Sequence, residues 1–160
     1  MSWFECKIKY DKNMGGEQGV ARVNETYLVD AMSFTEAEER ITNEMTPFIS
    51  GDYEVSNIRK IRIYEMLKNP TGDRWYRTKV NMLVFNDENQ TEKTVSLAML
   101  VQASSIKDAL QTLEQGMKNT MAEWEATSLT ETPIMDVFFY DPNSKNSEKE
   151  ILIAKNDAIE

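Results

Sequence analysis

The sequence predicts an α+β protein made of two pseudo-symmetric β-β-α-β repeats, an antiparallel sheet with two helices packed on one face. Three observations support this fold. Apolar residues alternate with a period of two in several stretches, two capped amphipathic helix patterns occur, and the whole arrangement recurs 72 residues later. Residues 3–45 and 75–117 share ten identities in 43 aligned positions, several times what a chance pairing gives. We therefore predict an internal duplication.

The first repeat opens with a hairpin. Residues 3–10 alternate, so that Phe4 faces the predicted core and Lys7 faces the opposite side. Residues 20–31 form a second alternating stretch. The connection between them, residues 12–19, contains three glycines, which favour a loop.

A helix follows each hairpin. Ser33 and Glu36 have the spacing of a capping box, and we expect Glu36 to accept a hydrogen bond from the Ser33 amide. Ser105 and Asp108 repeat this pattern in the second half. Apolar residues then recur at helical spacing in both segments. After the first helix, residues 53–67 predict one long strand with a bulge or bend.

These elements define the predicted domain organisation. We expect one domain over residues 1–142, with repeat one at 1–67 and repeat two at 74–140. Between them lies the turn-rich joint 68–73. Residues 143–160 are mostly polar and predict a flexible C-terminal tail.

Composition excludes several chemistries. The 160 residues include no histidine, which removes the usual general base and the commonest metal ligand, and only one cysteine, which leaves no paired-cysteine site. No phosphate-binding loop motif is present. We therefore predict no enzyme, no catalytic residues, no cofactor and no metal site. A carboxylate-dependent enzyme using Asp30 or Asp136 is the least favoured hypothesis.

Charge and location follow from the same counts. The single cysteine and the lack of a signal-peptide pattern or a long apolar run predict a cytoplasmic protein without membrane contact. The net charge of −9 argues against general binding to nucleic acid. Residues 55–80, however, carry seven basic and two acidic residues, a local net charge of +5. This stretch is either a solvated strand surface or an anion-binding surface.

The strand phases suggest a candidate ligand site. Trp3 and Trp75 occupy equivalent positions in the two repeats, on the side away from the predicted core, and each has basic residues beside it. Aromatic rings flanked by cations bind bases and phosphates on open sheets. The candidate ligand-binding residues are Trp3, Lys7, Arg59, Arg62, Trp75, Arg77 and Lys79.

Two functions are compatible with this pattern. The first is a binding protein that holds an anionic nucleotide-like ligand or single-stranded nucleic acid on the aromatic and basic face. The alternative is a homo-oligomeric or partner-binding protein that uses the same face as a protein interface. A third interpretation also stays open, in which the second half, the tail or another copy of the chain covers this face. Tryptophan side chains on sheets are usually buried, which favours such a cover.

The chain also resembles a domain family of unknown function from gut Bacteroidales-type bacteria and their phages or mobile elements. The residues that carry the resemblance are Trp3-Phe4-Glu5-Cys6-Lys7, Tyr27-Leu28-Val29-Asp30-Ala31 with Ser33-Phe34-Thr35-Glu36-Ala37-Glu38, Thr46-Pro47-Phe48-Ile49-Ser50-Gly51, Arg74-Trp75-Tyr76, and Ile134-Met135-Asp136-Val137-Phe138. The resemblance implies a small cytoplasmic α+β protein and leaves a phage or mobile-element origin open. It implies no activity and no site.

Overall fold

A computed structural model describes residues 1–141 and confirms the α+β class. The predicted tail, residues 143–160, lies outside the described residues. The first half contains β1 (Ser2–Asn13), β2 (Val20–Ala31), α1 (Phe34–Met45), β3 (Tyr53–Ile61) and β4 (Glu65–Leu67). The second half contains β5 (Arg74–Asn86), β6 (Thr91–Ala103), α2 (Ile106–Gly116), β7 (Trp124–Glu131) and β8 (Ile134–Phe138). No helix of residues 1–141 is long and apolar enough to cross a membrane.

The strands form two four-stranded sheets rather than the one sheet that we predicted. Their orders are β3-β1-β2-β8 and β4-β6-β5-β7. Each half therefore gives its last strand to the sheet of the other half, where β8 runs parallel to β2 and β4 runs parallel to β6. The stretch 53–67 is two strands and not one, because the chain leaves the first sheet after β3 and enters the second sheet at β4.

The two halves use the same pairing register. Ser2 lies opposite Ala31 in the first hairpin, and Arg74 lies opposite Ala103 in the second, an offset of 72 residues at both positions. The strand irregularities also correspond, since one falls after Lys7 and the other after Lys79. A common origin of the two halves stays a prediction.

Each helix begins at the predicted cap, with one difference. The Ser33 hydroxyl accepts a hydrogen bond from the Glu36 amide at 3.1 Å. The Glu36 carboxylate accepts from the amide of Met32 at 3.0 Å, and not from that of Ser33 as predicted. Asp108 does the same in the second half, where it accepts from the amide of Ser104. The carboxylate therefore also fixes the chain that enters each helix.

Three apolar clusters hold the layers together. One cluster packs α1 against its own sheet, and a second packs α2 against its own sheet. The third, which we call the inter-sheet cluster, consists of Leu28, Trp75, Leu100, Ile134 and Val137. Leu28 alternates along β2 with Tyr27 and Val29, which face the helix. The inner faces of the sheets, turned away from the helices, therefore meet at this cluster.

A polar contact fastens each exchanged strand at its end. The Asp30 carboxylate accepts from the backbone amide of Tyr140 at 2.6 Å, just past β8, and it also accepts from the Arg40 guanidinium. At the equivalent place in the second half, the Gln102 side chain accepts from the backbone amide of Asn69 at 3.1 Å. The same geometry is thus made once with a charged group and once with a neutral one.

The joint between the halves is tightly packed. Gly72 is buried, and a Cβ atom at this position would lie 2.5 Å from the Cα of Ala103. Its carbonyl oxygen accepts from the Gln102 side chain at 3.0 Å. Only glycine allows this approach, so the joint fixes where β5 begins.

We expect Asp30→Ala to destabilise the protein more than Gln102→Ala does. Loss of the carboxylate removes a charged acceptor and should lower the free energy of unfolding by about 2–3 kcal/mol, whereas loss of the amide should cost about 1 kcal/mol. Denaturant unfolding measures both. Asp11→Ala is the control, because its pair with Arg22 at 3.6 Å is exposed and should contribute less than about 0.5 kcal/mol. Equal effects of the Asp30 and Asp11 variants would contradict this role for Asp30.

The single cysteine supplies a second test. Cys6 lies in the first core, where burial, with a further contribution from the Glu5 carboxylate, raises the pKa of its thiol to about 12. Because the thiolate is the reactive form, and its greater intrinsic nucleophilicity offsets only part of the loss, we expect the folded protein to react with a disulfide reagent at least about 10-fold more slowly than the denatured chain at mildly alkaline pH. A native rate close to the denatured rate would show that Cys6 is accessible.

Candidate anion-binding cleft

The predicted aromatic platform is not open. Trp75 is only 4% exposed and belongs to the inter-sheet cluster. Trp3 is partly buried against the same cluster, and its ring meets that of Phe139 edge to face at 5.4 Å. The expectation that both rings are available for stacking is therefore wrong, because each half covers the inner face of the other at this end.

Three of the predicted cations nevertheless line one cavity. Arg62, Arg77 and Lys79 border a cleft of about 460 Å³ between the inner faces of the two sheets. Arg59 and Lys7, also predicted as ligand-binding residues, are exposed and lie outside this lining. The cleft is completed by Glu5, Ile61, Ile63, Ala98, Met99, Leu100, Ser128, Thr130, Glu131, Thr132, Pro133 and Ile134.

Strand geometry places the cations. Arg77 and Lys79 are two residues apart on β5 and thus point to the same side, opposite the helix-facing Tyr76 and Val80. Arg62 lies in the connection between β3 and β4, at the point where the chain crosses from one sheet to the other. The connection therefore brings Arg62, from the first half, to the cleft that is lined by Arg77 and Lys79 of β5.

Hydroxyl groups stand beside the β5 cations. Thr130 on β7 lies directly opposite Arg77, and Ser128 lies directly opposite Lys79. Residues directly opposite each other on paired strands share a face. Two cations and two hydroxyls thus form a compact group of hydrogen-bond donors on one wall of the cleft.

In the first half, the position equivalent to Arg77 carries an acid that is neutralised within the protein, while Lys7, the equivalent of Lys79, makes no ion pair within residues 1–141. Glu5 takes the position of Arg77, and Arg59 takes that of Thr130. The Arg59 guanidinium contacts the Glu5 carboxylate at 3.2 Å. The first half therefore pairs an acid with a base where the second half leaves a base beside a hydroxyl.

Within residues 1–141, none of the three cleft cations makes an ion pair. The acids that border the cleft have other partners, since Glu5 contacts Arg59 and Glu131 contacts Arg74 at 3.7 Å. All three cations are exposed to solvent, as Arg59 and Lys7 are, but they are grouped along one cleft and together can attract small anions. The arrangement can bind an anion.

The acidic residues considered from the sequence have structural partners. Asp30 fastens the end of β8, as described above, and the Asp136 carboxylate accepts from the amide of Val137 at 2.8 Å. Neither borders the cleft. Among the described residues, no group of three acidic or sulfur ligands is arranged to hold a metal ion.

Sequence reasoning missed the lining residues supplied by β7 and by the segment that leads from β7 into β8. Ser128, Thr130 and the segment 132–134 line the cleft, but none carries a charge or a motif that singles it out. The register offset was a usable signal, because it aligns Thr130 with Arg59 and Arg77 with Glu5. That comparison shows that the second half has Arg77 at the position where the first half has the acid Glu5.

Comparisons with known proteins place the chain in one family. No curated protein and no solved structure matches it. A family model described as "Domain of unknown function (DUF4494)" matches residues 2–140, almost the whole part of the chain that the structure describes. This chain belongs to the DUF4494 family.

Proposed function

We propose that this protein is a non-enzymatic binding protein that holds a small anionic ligand in the cleft between its two sheets. The observation that carries the proposal is the pair Arg77 and Lys79, which stand beside hydroxyls on a wall where the other half has a matched ion pair. Arg62, in the connection between β3 and β4, adds a third cation to the same lining. Arginine and lysine in such a group bind phosphate or carboxylate oxygens through charge-assisted hydrogen bonds.

The proposal narrows the ligand classes suggested by the sequence. A small nucleotide-like anion stays compatible with a cavity of about 460 Å³. Single-stranded nucleic acid has less support, because stacking needs open rings and Trp75 is buried. A cytoplasmic location and a phage or mobile-element origin stay parts of the proposal; the first is supported by the single cysteine and the second by the family resemblance.

The alternative proposal, an interface for another copy or a partner, has less support. The rings of Trp3 and Trp75 already pack within the chain, against residues of both halves. Light scattering of the pure protein tests this alternative separately.

We expect the cleft cations to control anion binding. Calorimetric titration of the protein with ADP and with pyrophosphate, at low and at high salt, should show binding that weakens with salt. The double variant Arg77→Gln/Lys79→Gln should weaken binding by about 10-fold or more for each cation removed, because charge-assisted hydrogen bonds are lost.

The matched control is Lys7→Gln. Lys7 is the first-half equivalent of Lys79, lies next to a strand irregularity as Lys79 does, and is exposed outside the cleft. It should bind both probes as the unaltered protein does. Absence of salt-sensitive binding of any anion, or equal effects of the two variants, would overturn the proposal.

A further inference from the structure

The cleft has aliphatic as well as cationic lining residues, and both bear on which class of ligand it can hold. Besides the three cations, the lining includes two carboxylates, Glu5 and Glu131, three hydroxyl residues, and a group of aliphatic side chains. The aliphatic group includes Ile61, Ile63, Leu100 and Ile134. Among the described lining residues there is no aromatic ring and no asparagine or glutamine side chain. The cavity thus has a polar, cationic wall and an aliphatic remainder.

This lining suits an alkyl chain better than a nucleobase, because the two arginines that could stack on a base are the groups that would hold the phosphate. Proteins hold bases by stacking them on rings or guanidinium planes and by reading their edges with amides and other polar groups. A base among isoleucine and leucine side chains would leave its polar edge atoms without partners, and unpaired buried polar atoms are costly. An alkyl chain has no such atoms and gains from leaving water.

The cationic wall indicates which anionic group the ligand carries. The two carboxylates of the lining, Glu5 and Glu131, contact Arg59 and Arg74, so the three cations of the lining are the charges available to an anion, and Ser128 and Thr130 can add hydroxyl donors. A phosphate dianion has enough oxygens to use several of these groups at once, and arginine matches it bidentately.

We infer that the ligand of this cleft is a phosphate ester with an aliphatic body, its phosphate on Arg77, Lys79 and Arg62 and its chain against the partly buried Ile61 and Ile63, above the buried Leu100 and Ile134. The inference rests on the proposed function and narrows it to one class of ligand. The two parts of the ligand are recognised by separate sets of residues, so they can be tested separately.

A chain-length series tests the inference on the unaltered protein. Calorimetric titration with inorganic phosphate, ethyl phosphate, butyl phosphate and hexyl phosphate measures how affinity depends on the chain, at concentrations where none forms micelles. We expect affinity to rise about two- to fourfold for each added methylene, the gain for moving a methylene out of water, until the cleft is filled. Hexyl phosphate should also bind more tightly than AMP and more tightly than heptanoate.

Two variants separate head from chain. Arg77→Gln/Lys79→Gln should weaken every member of the series by the same factor and leave the chain-length slope unchanged. Ile63→Ser should flatten the slope and leave the affinity for inorganic phosphate unchanged; because Ile63 also packs against the inter-sheet cluster, its unfolding is measured first, and the series on the unaltered protein decides if this variant does not fold.

The outcomes distinguish a failure of the phosphate-ester inference from a failure of the proposed anion-binding function. Phosphates that bind with no dependence on chain length, or AMP that binds more tightly than hexyl phosphate, would overturn the aliphatic ligand and leave the anion-binding function standing. Equal binding of heptanoate and hexyl phosphate would overturn the phosphate head. Binding of none of these anions or of pyrophosphate would overturn both.

Discussion

The contact between the inner faces of the two sheets is the constraint on which the rest of the structure depends. A sheet has two faces, and each helix covers only one of them. The other face carries Leu28 in the first sheet and Trp75 and Leu100 in the second, and these side chains are apolar and buried. Burial of large apolar side chains contributes roughly 1.5–3 kcal/mol each, so neither sheet is complete without the other.

The reciprocal exchange of β4 and β8 turns this contact into a fixed arrangement. Each exchanged strand is short, and each is held by parallel pairing and by a side-chain acceptor at its end, Asp30 in one case and Gln102 in the other. The two segments that cross between the sheets also border the cleft. The elements that join the halves are therefore the elements that build the candidate site.

Much of this architecture could be predicted from the sequence. The long strands follow from period-two alternation, and the helix starts follow from Ser33 and Ser105, because local chemistry decides these features. Three of the seven candidate ligand residues line the cleft: Arg77 and Lys79 because strand phase determines which way their side chains point, and Arg62 because the connection from β3 to β4 passes there.

The remaining features depend on interactions distant in sequence. A period-two pattern shows that a strand has two faces, but not what covers the second, so the sequence left open whether Trp75 is covered. A strand as short as β4, Glu65–Leu67, has no pattern of its own, and its pairing with Met99–Val101 is decided by tertiary packing. Hydroxyl residues such as Thr130 gain significance only when the register places them beside Arg77.

The matched ion pair of Glu5 and Arg59 has a consequence for stoichiometry. The backbone is doubled, with equal registers and equal irregularities, yet the charge pattern is not, because the acid of the first half is an arginine in the second. A scaffold with twofold repetition thus offers its cationic wall once. If the cleft binds an anion as proposed, saturation at a single equivalent of ligand per polypeptide is the expected signature, because the matched ion pair Glu5–Arg59 has no counterpart in the second half.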